Sequence, residues 1–335
     1  MVRVAGGLPD ARATLSPGDA AAAFDALLDG RVDDAEIARF LVELADRGET
    51  VDEVVAAARA LRARMLPVEA PEGAIDVCGT GGDGSGSLNV STAVAIVVAA
   101  CGVPVAKHGN RAASSRSGAA DVLGALGLDL DRPPAFAEAC LAELGIAFLF
   151  AANHHPAMAR VAGVRRALGR RTVFNLLGPL ANPAEVKRQL VGVFARKWVR
   201  PMAEALGALG AEAAMAVHGS DGLDELSISG ASYIARWSAN GLVEADDAAA
   251  PGNAGLPRYP PVAIIGGDVA HNAAAMTALL AGEAGAYRDI VLLNAAAALI
   301  VAERAGGWRE GVAEAARAID SGAARDLLAR WIAFR

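Results

Sequence analysis

Five glycines fall within the eight residues Gly79–Gly86, and this run separates two apolar segments of different length. Before it, Ala74–Cys78 is long enough only for a strand. After it, the apolar stretch from about Asn89 to Ala100 suits a helix, and Val103–Ala106 follows as a second short run. Strand, glycine loop, helix and strand in that order predict a parallel sheet. Glycine lets the backbone adopt positive φ and approach a ligand closely. A glycine turn that opens a helix presents free N–H groups and a partial positive charge to an anion. The plain alternative is a turn whose Asn89 or Ser91 merely caps the helix.

The flanking sequence repeats the α/β theme. Residues 15–65 read as helices, opened by Ser16-Pro17-Gly18-Asp19 and punctuated by Gly30 and Gly48, with no strand pattern before Ala74. Further strands are expected at Ile146–Phe150, Thr172–Phe174, Leu190–Phe194 and Ala213–Val217. The C-terminal third adds Ser227–Ser229, Tyr233–Trp237 and Ala-rich helices from about Asp268. Ala245–Pro261 reads as a surface connection. Aromatic residues make up only 4% of the chain, so its apolar bulk is Ala, Val and Leu, which suits helices and parallel strands. The expected fold is α/β: a small all-helical domain, then a larger domain with a mostly parallel central sheet flanked by helices.

Charge and cysteine usage exclude other classes. A formal net charge of −7 argues against a general nucleic-acid binder. It leaves room for a locally cationic site that takes a small phosphorylated ligand. Cys78, Cys101 and Cys140 are scattered and odd in number, which points to a reducing cytoplasmic setting. No signal peptide is visible, and Val90–Cys101 is shorter than the ~20 residues of a membrane-spanning helix. No membrane association is expected.

The loops carry the chemistry. Gly79, Gly81 and Gly84 satisfy GxGxxG, but a dinucleotide site wants an acidic residue at the end of the second strand. Lys107-His108 stands there instead, and no GK[ST] closes a Walker loop. The stretch Lys107–Ser115 brings a lysine, an arginine and two serines to the adjacent strand end, as an anionic ligand requires. Asp224-Glu225 offers paired carboxylates suited to Mg²⁺, although such a pair is more often a solvated turn. His154-His155 lacks the spacing of a zinc site, and Arg165 reads equally as a surface helix residue.

Taken together, GTGGDG (79–84), NVST (89–92), KHGNRAASS (107–115), GAADVLGALG (118–127), HHPAM (154–158), VRRALGRRTVFNLLGPLANP (164–183) and HGSDGLDE (218–225) resemble the anthranilate phosphoribosyltransferase family. The resemblance extends to the helical segment 38–62 and to the C-terminal segments 288–302 and 318–324, so it covers nearly the whole chain. It implies transfer of the phosphoribosyl group of 5-phosphoribosyl-1-pyrophosphate (PRPP) to the amine of anthranilate, with Mg²⁺, in tryptophan biosynthesis.

The same resemblance assigns residues. Gly79, Gly82, Asp83, Ser87, Asn89, Val90, Ser91 and Thr92 would line PRPP, with Lys107, His108, Gly109, Asn110, Arg111, Ala112, Ala113, Ser114, Ser115 and Ala119. Gly79, Asn110 and Arg165 would meet anthranilate, Arg165 suiting its carboxylate. Ser91, Asp224 and Glu225 would hold Mg²⁺. His108 and His155 would lie near the aromatic substrate, shaping the site. Two departures stand out: Ser87 replaces the family's usual Thr and keeps the hydroxyl, whereas Ala119 replaces a frequent Ser and loses it. The resemblance also implies a helical domain of residues 1–70 with a returning segment near 165–190, an α/β domain of 71–335, and a homodimer through the helices.

Three readings compete. A pyrimidine nucleoside phosphorylase-like enzyme shares the architecture but carries a lysine–serine–glycine–arginine loop that is missing here. A non-enzymatic nucleic-acid-binding relative would have a degraded glycine loop and a basic face. A NAD-dependent dehydrogenase conflicts with Lys107-His108.

Overall fold

A computed structural model describes residues 7–111, 117–245 and 250–335. Three helices come first: α1 (Pro17–Leu28), α2 (Asp34–Arg47) and α3 (Val51–Arg62). Their starts are fixed by local chemistry. The side chains of Ser16, Asp33 and Thr50 each accept an N–H of the first turn, and Glu53 closes a capping box with Thr50. Their apolar faces, including Phe24, Phe40 and Leu44, are fully buried.

The α/β portion then runs β1 (Ile75–Gly79), α4 (Val90–Ala100), β2 (Val105–Gly109), α5 (Ala119–Ala125), α6 (Pro134–Leu144) and β3 (Ile146–Phe150). Next come α7 (Ala151–His154), α8 (Ala159–Leu168), α9 (Leu177–Leu180), β4 (Arg188–Gly192), α10 (Val199–Ala208) and β5 (Ala213–Gly219). The chain closes with β6 (Ser232–Ser238), β7 (Gly241–Ala245), α11 (Val269–Leu280), α12 (Ala286–Val301), α13 (Trp308–Asp320) and α14 (Ala323–Ala333). The seven strands form one sheet in the order β3-β2-β1-β4-β5-β6-β7. Neighbours from β3 to β5 are parallel, while β6 and β7 add antiparallel at one edge. The molecule is therefore a small helical bundle joined to a mostly parallel α/β sheet.

Strand alternation divides the core in two. Ile75, Val77, Leu190 and Met215 face α4, α12, α13 and α14. Cys78, Val191 and Ala214 face α10 and, beyond it, the helical bundle. The bundle takes in chain from the middle of the sequence, since α8 packs on α1 and α2, and α9 packs on α3. Strand order reverses direction between β1 and β4, the usual place for a crevice at the carboxyl ends of parallel strands.

Several expectations need correction. Thr172–Phe174 is not a strand: Asn175 Oδ1 accepts the Thr172 N–H at 3.0 Å around a 3-10 turn at Val173–Asn175 that buries Val173 and Phe174. Ser227–Ser229 is not a strand either. The Ser227 hydroxyl oxygen accepts the N–H groups of Ser229 and Gly230, replacing sheet partners. The second strand runs on to Gly109, past the expected end at Ala106. Within the expected surface connection 245–261, Pro251 and Ala254 are buried near α13, and residues 246–249 lie outside the described residues.

Candidate active site at the carboxyl edge of the sheet

β1 and β4 end side by side, with Gly79 and Gly192 as register partners. Neither position has room for a side chain. A Cβ on Gly79 would lie 2.5 Å from Asp224 Oδ2, and one on Gly192 would lie 1.5 Å from the Asp224 carbonyl oxygen. The two glycines are thus the seat of Asp224. Gly81 donates its N–H to Asp224 Oδ2 at 2.7 Å, with Gly81 and Gly82 at φ of 65° and 75°. Asp224 donates its own N–H to Asp83 Oδ2 at 3.3 Å, and Asp83 Oδ1 accepts Ser85 N–H at 3.1 Å. The glycine loop is strapped on its far side by Ser87, which bridges to Ile265.

Glu225 is buried beside this corner. Its Oε1 accepts the Ser91 N–H at 3.1 Å, so the free amides at the start of α4 face a carboxylate. Lys107, also buried, donates from Nζ to the Val77 carbonyl at 2.6 Å and to Ser91 Oγ at 3.4 Å. Burial, then the Asp83 charge, pushes the Asp224 carboxyl up to about 7. Burial and the Asp224 charge push Glu225 well above the ordinary range, and Lys107 opposes this. Buried oxygens that repel one another are the donor set for a hard cation. Among the described residues no three His, Cys, Asp or Glu side chains form a metal cage. Asp224 and Glu225 could supply part of the oxygen set of a hard cation such as Mg²⁺, which takes most of its oxygens from water and phosphate.

The other side of the sheet carries nitrogen. Lys107 and His108 belong to β2, so their side chains leave opposite faces. His108 Nδ1 lies 2.9 Å from the Gly178 carbonyl, which assigns the proton to Nδ1. Its Nε2 is then a lone pair, 3.2 Å from His155 Nε2. Burial holds His108 down to about 3 and His155 down to about 4, so both rings are neutral near pH 7. Arg165, on α8, lies 5.4 Å over the Phe174 ring, and burial lowers its pKa. Among the described residues no carboxylate pairs with it.

The remaining expected residues divide. Asn89 does not cap α4; its Oδ1 accepts Asn272 Nδ2 at 2.9 Å, and its carbonyl accepts the Tyr287 hydroxyl at 3.0 Å. Val90 and Thr92 are buried along α4. Gly109 is tight against Phe148, 2.8 Å from where a Cβ would stand, and Ala119 opens α5 beside it. The Asn110 carbonyl accepts Ala120 N–H, while Arg111 reaches Asp121 at 3.2 Å and lies over Phe150. Ala112, Ala113, Ser114 and Ser115 lie outside the described residues.

Sequence reasoning missed Asp76, Asn182, Asn272, Tyr287 and Arg171. Arg171 donates to the Gly82 carbonyl at 2.6 Å, tying the segment after α8 to the glycine loop. Asp76 did carry a signal, being a charged residue inside an otherwise apolar strand. Asn272 and Tyr287 carried none.

The chain's similarities match this geometry. Residues 71–325 match the model of the glycosyl transferase family a/b domain, and residues 8–65 match that of its helical bundle domain. An anthranilate phosphoribosyltransferase of Novosphingobium aromaticivorans is 59% identical over 332 residues, covering 97% of this chain and 98% of its own. The crystal structure of anthranilate phosphoribosyltransferase from Thermus thermophilus superposes with a TM-score of 0.91 at 45% identity, covering 97% of this chain and 99% of that one. The Saccharomyces cerevisiae enzyme in complex with PRPP and Mg superposes at 0.85 with 28% identity, over 95% of this chain and 93% of its own. Among the described residues no helix is long and apolar enough to cross a membrane.

Proposed function

The chain belongs to the anthranilate phosphoribosyltransferase family, and from that premise we propose that it transfers the 5-phosphoribosyl group of PRPP to the amine of anthranilate. The products are N-(5-phosphoribosyl)anthranilate and pyrophosphate, in the tryptophan pathway. The observation that carries the reading is the seat of Asp224 on Gly79 and Gly192, with Glu225 against the start of α4. It gathers a glycine loop, a helix start, hydroxyls and carboxylates at one strand edge, the groups that a pyrophosphate ester with its cation would need.

The chemistry asks for positioning and charge neutralisation rather than a protein nucleophile. The C1–O bond to pyrophosphate breaks, positive charge builds on the ribose, and the anthranilate nitrogen closes on C1 and releases a proton. Gly79, Gly82, Asp83, Ser87, Asn89, Val90, Ser91 and Thr92 would line PRPP, with Lys107 opposite and the stretch 108–115 and Ala119 beyond. Lys107, held by the Val77 carbonyl and Ser91 Oγ, would offset phosphate charge with its ammonium. Ser91, Asp224 and Glu225 would hold Mg²⁺, which supplies neutralisation of the leaving pyrophosphate when bound.

Arg165 would take the anthranilate carboxylate, with Gly79 and Asn110 beside the ring. His108 and His155, kept neutral by burial, would shape the pocket and offer hydrogen bonds. The reading includes a helical domain of residues 1–70 with a returning segment near 165–190, an α/β domain of 71–335, and a homodimer formed through the helices.

The test follows anthranilate fluorescence in the presence of the protein, PRPP and MgCl₂. A change that requires all three and disappears in Asp224→Ala is expected. No change with folded wild-type protein would defeat the choice of acceptor and leave Asn110 and Arg165 as the first residues to reassess.

A further inference from the structure

The ladder between β1 and β2 opens after one pair. Ile75 and Val105 are register partners, and Ile75 N–H donates to the Pro104 carbonyl at 2.9 Å. By contrast β1 pairs with β4, and β2 with β3, along the full length of the strands. Two residues further on, Val77 would stand opposite Lys107. In a parallel ladder its backbone would bond both the Ala106 carbonyl and the His108 N–H.

Side chains take those places. Asn182 Nδ2 donates to the Ala106 carbonyl at 2.8 Å, and Asp76 Oδ1 accepts the His108 N–H at 3.1 Å. Asn182 Nδ2 also donates to Asp76 Oδ2 at 2.8 Å, joining the two. The Val77 carbonyl, freed from the ladder, is the acceptor of Lys107 Nζ. Asp76 and Asn182 are buried, with exposures of 0% and 1%.

Asn182 belongs to the segment that leaves α9 for β4. The same segment is bolted to the sheet by Gln189 Nε2 on the Pro179 carbonyl at 2.8 Å and to the bundle by Arg62 Nε on the Leu180 carbonyl at 2.7 Å. The backbone of 179–182 thus joins the hydrogen bond from α3 to those that Asn182 makes in the gap beside Lys107 and His108.

We infer that Asp76 and Asn182 form a wedge between β1 and β2, and that they are positioning residues for PRPP binding. The wedge holds the strands apart so that Lys107 is anchored on Val77 with its ammonium at Ser91. Neither side chain needs to touch substrate. The inference rests on the phosphoribosyl-transfer reading above.

The test compares wild type, Asn182→Ala, Asp76→Asn and a control, Glu53→Ala. Glu53 is buried in α3 and accepts Leu15 N–H, so its loss removes a buried anchor remote from the strand edge. Three quantities are measured: Tm, binding of PRPP with MgCl₂ by titration calorimetry, and amide hydrogen exchange over residues 105–111. Asn182→Ala removes the donor to the Ala106 carbonyl and Asp76 Oδ2 and the acceptor of the Ala184 N–H, and is expected to weaken PRPP binding about tenfold and speed His108 exchange at least about tenfold. Asp76→Asn keeps an acceptor for His108 but loses the bond from Asn182 and the carboxylate charge facing Lys107, and is expected to shift both readouts in the same direction. Glu53→Ala lowers Tm and moves neither other readout.

If Asn182→Ala only lowers Tm, with PRPP affinity and exchange at 105–111 unchanged, the wedge is overturned. Should that variant fail to fold, Asp76→Asn decides by the same two readouts. A wild type that binds no PRPP would strike the functional reading instead, and exchange at 105–111 would then decide the wedge alone.

Discussion

The carboxylate corner around Asp224 and the imidazole pair of His108 and His155 lie on opposite sides of one sheet, and burial acts on them in opposite senses. On the α4 side, burial and mutual repulsion raise Asp224 to about 7 and Glu225 well above its normal range. On the α9 side, burial lowers His108 to about 3 and His155 to about 4. The corner holds acids that a cation would discharge. The imidazoles hold no charge to discharge and contribute shape and hydrogen bonds. On the proposed function a polyanion with its metal and a flat aromatic acid share one cleft, and a strand that alternates Lys107 and His108 would supply a face to each from adjacent residues.

The largest break in this contrast is Asp224→Asn. It keeps the shape, removes a charge from the corner, and should lower kcat/KM for the transfer by about 10²–10³-fold, as loss of one charge-stabilising group does. Stability should move the other way. The folded carboxyl is raised from an unfolded value near ~3.9. Its contribution is therefore fully present at low pH and is lost as pH climbs through about 7. Tm of Asp224→Asn should exceed wild type at pH 8 without Mg²⁺ and match it near pH 4. A lower Tm at pH 8 would mean that Asp224 is already paired.

Arg165→Ala tests the other side. With its half-buried guanidinium lost, KM for anthranilate should rise on the order of tenfold to a hundredfold while KM for PRPP stays put. Steady-state kinetics in each substrate separate the two. An equal rise in both would place Arg165 in the phosphate site rather than at the aromatic acid.

The imidazoles give a pH signature of the opposite sign to Asp224. Folded His108 and His155 titrate near 3 and 4, against about 6.5 in the unfolded chain. Between those values the unfolded chain holds more protons, so these rings make stability fall as pH drops below about 6.5. The wild-type urea midpoint minus that of His108→Gln should therefore fall as pH drops from 8 to 4, a difference in which the opposing contribution of Asp224 cancels. A difference that stays constant with pH would show that the rings titrate normally and are open to water.

How much of this was legible in the sequence differs between the two sides. The corner was legible because its parts are local: the glycine run, the start of the next helix, and Asp224-Glu225 each sit in one short stretch. What it did not reveal was why glycine is needed at Gly192, since the reason is the Asp224 backbone, which a Cβ at position 192 would strike. The α9 side was less legible. His108 and His155 are 47 residues apart and meet only because β2 runs three residues past its expected end, which no propensity signals. Thr172–Phe174 looked like a strand because Thr, Val and Phe favour one, and a turn closed by Asn175 Oδ1 on the Thr172 N–H overrode that preference. The wedge of Asp76 and Asn182 joins residues 106 apart, and only the fold brings them together.

Ala119→Ser is the smallest expected effect and the finest probe of where the phosphate side of the site ends. Ala119 is the first residue of α5, next to the tight contact of Gly109 with Phe148. A hydroxyl placed there should gain one charge-assisted hydrogen bond to PRPP, about 1–2 kcal/mol, and lower the PRPP KM accordingly. The anthranilate KM should not move. A serine in the first turn of a short helix could instead bond its own backbone, which would raise Tm and leave KM alone. The two outcomes are separable because only the first depends on PRPP. An unchanged KM would put position 119 beyond reach of the ligand. The glycine loop, Lys107 and the carboxylate corner would then carry the phosphate by themselves.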